Sequence, residues 1–181
     1  MPARHKLLMK HFLKRSLAYF IDCSIAYTLV MLVIQWAIFS NIRGSIGIDD
    51  EWFKNSWNME FYVLSSISVP VWMYFIYFDS RKTKGTFGKR LLKLQVLDAN
   101  SQQMSFGKSF ARTLLKLAPW EIAHIGVVFP IPMHYATDPQ IRILTIVGIA
   151  LFMAYALSIL LNAQDRSLYD WILGTRVVSS F

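Results

Sequence analysis

Asp22 is the only charge in the apolar run from Leu17 to Phe39. An aspartate at the centre of a membrane helix costs roughly 2.5–3.5 kcal/mol on insertion scales, and less near the edge. Such a carboxylate is either an ion or proton site or a polar clamp to a neighbouring helix, and at this level both readings stay open. Arg15 precedes it by seven residues. That is about 700° of helix, so the two share a face about 10 Å apart along the axis, too far for an ideal direct bridge. Arg112 and Lys116 are four apart on one helical face, and Glu121 and His124 are three apart and within hydrogen-bonding reach of each other. Ser158, Asn162 and Asp165 form one helical stripe, with Asp170 beyond it. Arg15, Asp22, Arg112, Asp165 and Asp170 all fall at or near one membrane face. A buried network is the natural way for them to satisfy one another.

Other chemistries fit poorly. Gly85-Thr86-Phe87-Gly88-Lys89-Arg90 has two residues between its glycines, whereas a phosphate loop needs four. The loop is also too short for a KH domain, so nucleic acid is not an expected partner. Thr86, Gly88, Lys89 and Arg90 remain a candidate loop motif. Its basic run either sets topology or touches anionic lipid head groups, at about 1 kcal/mol per basic residue near the surface. His5, His11, His124 and His134 make no metal-ligand spacing, and no serine sits in a nucleophile elbow. Neither catalysis, cofactor nor metal is expected. The single cysteine, Cys23, excludes an intramolecular disulfide framework and reads as a packed thiol.

The elements that hold these residues follow from composition. The chain is 181 residues long, 55% hydrophobic and 17% charged, with a mean hydropathy of +0.38. Soluble domains are nearer 45–50% apolar and about 25% charged. Runs 17–39, 61–78 and 143–161 approach or reach the roughly 20 residues that cross a bilayer. Run 113–133 is interrupted by Lys116, Glu121 and His124 and is read as a fourth span, with Pro70 expected to kink the second. Fourteen of the nineteen basic residues lie before the first span, in loop 79–110 or in the tail. That asymmetry predicts four spans with both termini cytoplasmic, in the cell membrane, under the net charge of +8. The basic start and long first run read as a retained signal anchor. Most tryptophans fall where interfacial belts would be. Ser24, Thr28 and Gln35 lie about 200–240° around the helix from Asp22, a second polar stripe suited to interhelical hydrogen bonds. Lys93–Asp98 and Thr175–Val178 have strand character and are expected to pair. Ser105 is the expected cap of the following helix. The predicted fold is an all-α transmembrane bundle with a small cytoplasmic β element.

Three ordered blocks resemble the RDD family of small multi-pass membrane proteins. Arg15 to Asp22 is similar to the family's opening R-x-x-A-x-x-x-D. Thr86-Phe87-Gly88-Lys89-Arg90-Leu91-Leu92 resembles its central segment, with Arg112 as the arginine opening the next helix. Arg166 to Val178 resembles its closing block, with Asp170 as the final aspartate and Gly174-Thr175-Arg176-Val177-Val178 as its end. Tyr169 stands where the closing block often has histidine, and Lys84 replaces a glycine often found two before the central threonine. The resemblance implies a membrane protein for which transport, including cation/proton antiport, has been proposed. It also implies an alternative, a membrane component of a larger assembly with a structural charge network. On the antiport reading Na⁺, K⁺ or Li⁺ would compete with H⁺ at Asp22. Asp165 or Asp170 would assist, and Arg15 or Arg112 would tune them. Four spans are few for a transporter, so a homo-oligomer is expected on that reading.

Overall fold

A computed structural model describes residues 2–80, 83, 85–162 and 164–179, with side chains from residue 8 onward. Arg81, Lys82 and Lys84 of the basic loop lie outside the described residues, as do the side chains of Arg4, His5 and Lys6. Helix α1 (Pro2–Leu29) continues through a π-helical stretch, Val30–Phe39, into a final turn, α2 (Ser40–Ile42). Two short helices follow, α3 (Asp50–Lys54) and α4 (Ser56–Val63), capped by the side chains of Asp49 and Asn55. A second π-helical stretch, Leu64–Ser68, joins α4 to α5 (Val69–Asp79) in one continuous helix, with Pro70 just after the change of helix type. Then come α6 (Phe87–Leu91), β1 (Leu94–Asp98), α7 (Phe106–Val128), α8 (Ile143–Leu161), α9 (Leu168–Ile172) and β2 (Thr175–Ser179). Four segments are long and apolar enough to cross a membrane: Leu8–Ile42, Ser56–Asp79, Phe106–Tyr135 and Ile143–Leu161.

The third segment, the weakest in the sequence, is helical without a break from its Ser105 cap, which accepts the Lys108 N–H, to Val128, past Pro119 and short of the expected end at 133. Its polar groups turn toward neighbours. Glu121 accepts from Ser68 and from the Trp72 indole, both at 3.1 Å. It does not pair with His124, whose Nδ1 instead faces Glu60 at 3.2 Å. The fourth helix ends at Leu161, so Asn162 and Asp165 leave the expected stripe with Ser158. Ser158 Oγ accepts the Leu168 N–H at 3.0 Å and ties α9 to the end of α8. Gln35 reaches across to Ser66 at 2.7 Å and to Tyr62, while Ser24 and Thr28 are exposed. The wider π turns advance fewer degrees per residue and rotate Gln35 off their face.

Small residues let the last two spans approach closely. A Cβ at Gly148 would lie 2.6 Å from the Pro119 carbonyl oxygen, so α7 and α8 meet backbone to backbone.

At one end of the bundle lies a cap built from two copies of a single motif. Thr86 begins α6 in extended conformation, five helical residues follow, Leu92 and Lys93 turn, and β1 starts. Ser167 begins α9 likewise, five helical residues follow, Leu173 and Gly174 turn, and β2 starts. The turns agree in detail, with Lys93 at φ 54° and Gly174 at φ 60°. The strands pair antiparallel, Val96 opposite Val177, as the alternating pattern predicts. Leu94, Val96, Met104 and Val177 close with Ala18 into a buried cluster. The short helices leave Phe87, Leu91, Trp171 and Ile172 exposed, an apolar face of the kind that suits a membrane interface.

Candidate functional site

Asp22 is fully buried where α1 passes under α6. Its Oδ1 accepts the Gly88 N–H at 2.7 Å and the Tyr74 hydroxyl at 2.9 Å; its Oδ2 accepts the Thr86 hydroxyl at 2.5 Å. The first amides of any helix lack partners within it, and here Asp22 supplies the cap from another element. Thr86 makes no cap of its own because its hydroxyl is spent on the same carboxylate. Gly88 is required by contact: a Cβ there would fall 2.4 Å from the Ala18 carbonyl oxygen and 3.1 Å from Asp22 Cγ. The T-x-G portion of the loop motif is thereby accounted for as a mould around Asp22.

The remaining charges form a ladder. Lys89 places its ammonium 2.5 Å from both oxygens of Asp79. Arg112 bridges Asp79 at 3.2 Å and Asp170 at 2.8 Å. Arg15 reaches Asp170 Oδ2 at 2.6 Å and also the Asp165 carbonyl. Asp170 further accepts the hydroxyls of Ser167 and Thr175, each at 2.8 Å. Each member of the ladder is buried. Arg15 therefore ignores the aspartate on its own helix face and serves the one 155 residues on. The spacing already pointed away from a direct bridge between Arg15 and Asp22. Asp165 contributes only its backbone; its carboxylate sits at the rim, 3.4 Å from His11. Lys89 turns inward, and Arg90 lies 5.8 Å from the centre of the Phe78 ring.

Burial opposes ionisation of Asp170, but Arg112 and then Arg15, helped by the two hydroxyls, outweigh it. They hold its carboxyl well below the usual carboxylate range. For Lys89, burial dominates the attraction of Asp79 and pushes the ammonium down to about 8.

Asp79, Tyr74 and Lys116 complete the site and were not singled out as its members from the sequence. Asp79 ends the second apolar run, a signal that it faces the same boundary as Asp22. Lys116 lies one turn beyond Arg112 and stacks over Phe75, 3.6 Å from the ring centre, with Tyr19 at 4.6 Å. Among the described residues no group of three or more His, Cys, Asp or Glu is placed to hold a metal ion.

Four spanning helices under a two-stranded cap, joined by buried arginine–aspartate pairs, define a multi-pass membrane protein. The chain belongs to the RDD family, whose sequence model matches residues 9–174. Comparison with curated proteins and with solved structures gives no match.

Proposed function

We propose that the protein is a non-transporting membrane scaffold, an accessory or assembly subunit whose buried charges lock the cap onto the bundle. The observation that carries this reading is the saturation of the carboxylates. Asp170 takes two arginines and two hydroxyls, Asp79 a lysine and an arginine, Asp22 three N–H or O–H donors. A carboxylate that exchanges a cation for a proton in every cycle needs a face free of fixed donors, and fixed N–H donors repel a cation. The capped end carries the basic excess and is assigned to the cytoplasm of the cell membrane by the positive-inside rule. Its basic rim there meets anionic head groups. The exposed residues of α6 and α9 offer a partner an apolar edge at the membrane surface.

Cation/proton antiport at Asp22 is the second reading, and one observation favours it. Asp22 is the one buried aspartate that pairs with no lysine or arginine among the described residues. Proton flux in liposomes, driven by Na⁺, Li⁺ or K⁺ gradients, decides between the two. The scaffold reading expects no flux from folded wild type with any cation. Flux that disappears in a folded Asp22→Asn variant overturns it and puts Asp22 in the path. The same protein, cross-linked in native membranes before purification, should yield a defined partner whose capture falls when Trp171 or Leu91 is made polar.

A further inference from the structure

Between α1 and α8, against the underside of the cap, lies a half-open cleft of about 110 Å³. Four cationic residues line it, Arg15, Lys89, Arg112 and Lys116, and no carboxylate does. Three of the four share the two carboxylates of the ladder behind the wall, Asp79 and Asp170. Lys116 forms no ion pair among the described residues; two ring faces lie against its ammonium, and Asp79 and Asp22 act on it only at longer range. Around this point four cations stand against three buried carboxylates, Asp22, Asp79 and Asp170. An uncompensated charge at membrane depth is costly, and ring faces return only part of what an anion would. The cleft has room for one small oxyanion. Tyr155 and Tyr169 join Lys116 in the lining. Its mouth is marked by Ser16 and Phe152, both exposed, so it opens between the outward faces of two spanning helices.

We propose that this cleft is a binding site for a single phosphate-class oxyanion, seated on Lys116 and closing the charge balance of the network. The group arrives either as the phosphodiester of a membrane lipid, its acyl chains lying along α8, or as a free phosphate. The proposal holds for scaffold and transporter alike, because it rests on the cleft and not on the reactivity of Asp22.

The test uses the full chain purified in zwitterionic detergent, with the unfolding midpoint followed by tryptophan fluorescence and bound mass by native mass spectrometry. Phosphatidylglycerol, diacylglycerol, inorganic phosphate and ionic-strength-matched NaCl are titrated separately. Phosphatidylglycerol should raise the midpoint and remain bound at one copy, while diacylglycerol and NaCl do neither. Stabilisation by inorganic phosphate as well assigns the site to the free ion; stabilisation by the lipid alone assigns it to the head group. Lys116→Gln should weaken binding at least about tenfold, the loss expected for a charge-assisted hydrogen bond. Lys10→Gln, on an exposed position of α1, should leave it unchanged. Ala156→Phe fills the cleft without altering charge and should abolish binding, which keeps the test decisive if Lys116→Gln does not fold. No stabilisation beyond the NaCl control, equal losses in Lys10→Gln and Lys116→Gln, or wild-type binding by Ala156→Phe would each overturn the proposal.

Discussion

Val96 and Val177 are cross-strand partners at the middle of the sheet, and they are also the same position in two copies of one motif, 81 residues apart. A two-fold axis through this pair exchanges α6–β1 with α9–β2. Each copy follows a pair of spanning helices. The axis sets Lys89 of the first copy in the place of Asp170 in the second. Each is buried and each finds its counter-charge on a spanning helix: Lys89 on Asp79, Asp170 on Arg15 and Arg112. The joints differ in place as well as polarity: Asp79 ends α5, the second helix of its pair, whereas Arg15 and Arg112 stand on α1 and α7, the first helices of the two pairs.

The equivalence makes a prediction about the backbone. Lys93 and Gly174 occupy the same left-handed turn, but only glycine does so without a Cβ penalty of about 1–2 kcal/mol. Lys93 is exposed, so Lys93→Gly should stabilise the protein by about 1 kcal/mol. Gly174→Ala should cost a similar amount, because the nearest side-chain atom to its Cβ, on Ala99, is 3.8 Å away and offers no clash. Unfolding midpoints in detergent check both. A Lys93→Gly protein less stable than wild type refutes the assignment.

Much of this was open to sequence reading. The spans, the strand pair and the Ser105 cap follow from hydropathy, alternation and cap chemistry. Arg15, Asp22, Arg112 and Asp170 were each visible as charges at an apolar boundary. Their pairing was not visible, because helical spacing reports only neighbours on one element. The partner of Arg15 lies on α9, whose position depends on the fold of the whole chain. Asp165 was misplaced because apolar periodicity does not mark where α8 stops, and the chain turns at Asn162. The repeat itself leaves a trace: Thr86-x-x-Lys89 and Ser167-x-x-Asp170 each run through a turn that begins with leucine to a strand centred on valine.

Gly88 and Asp22 should respond differently to small changes. Gly88→Ala forces a methyl group against the Ala18 carbonyl and should cost about 1–3 kcal/mol, the usual range for overpacking. Asp22→Asn keeps one oxygen for the Gly88 amide, and its NH₂ donates to the Thr86 hydroxyl once that rotates. It should lose only about 1 kcal/mol. Asp22→Ala strands three donors and should cost several times more. Equal midpoints for Asp22→Asn and Asp22→Ala would show that the mould around Asp22 does not depend on its hydrogen bonds.

Arg112 touches Asp79 and Asp170 through different nitrogens of one planar guanidinium, a spread that a lysine's single nitrogen does not reproduce. Arg112→Lys should therefore behave as a broken buried pair, losing about 3 kcal/mol or more. The double variant with Asp170→Asn should be less destabilised than the two single losses added. A double-mutant cycle on unfolding free energies measures this coupling, and additivity would mean that the pair is not a unit.

Acid should unlock the cap through Asp170. Its carboxyl in the folded protein lies well below the ordinary value of about 3.9, held there against burial by Arg112 and Arg15. A group depressed on folding contributes stability that is fully present above its unfolded value and is lost as pH falls toward its folded one. Stability should therefore be level from pH 7 to about 5 on this account and fall below about 4. Other carboxylates titrate in the same window, so the informative quantity is the difference between wild type and Asp170→Asn. That difference should be large and constant at neutral pH and shrink steadily on acidification, as wild type is asked to give up the charge the variant already lacks. Midpoints recorded from pH 7 to 3 for both proteins check it. Parallel curves down to pH 3 would mean that Asp170 is not held ionised by the two arginines.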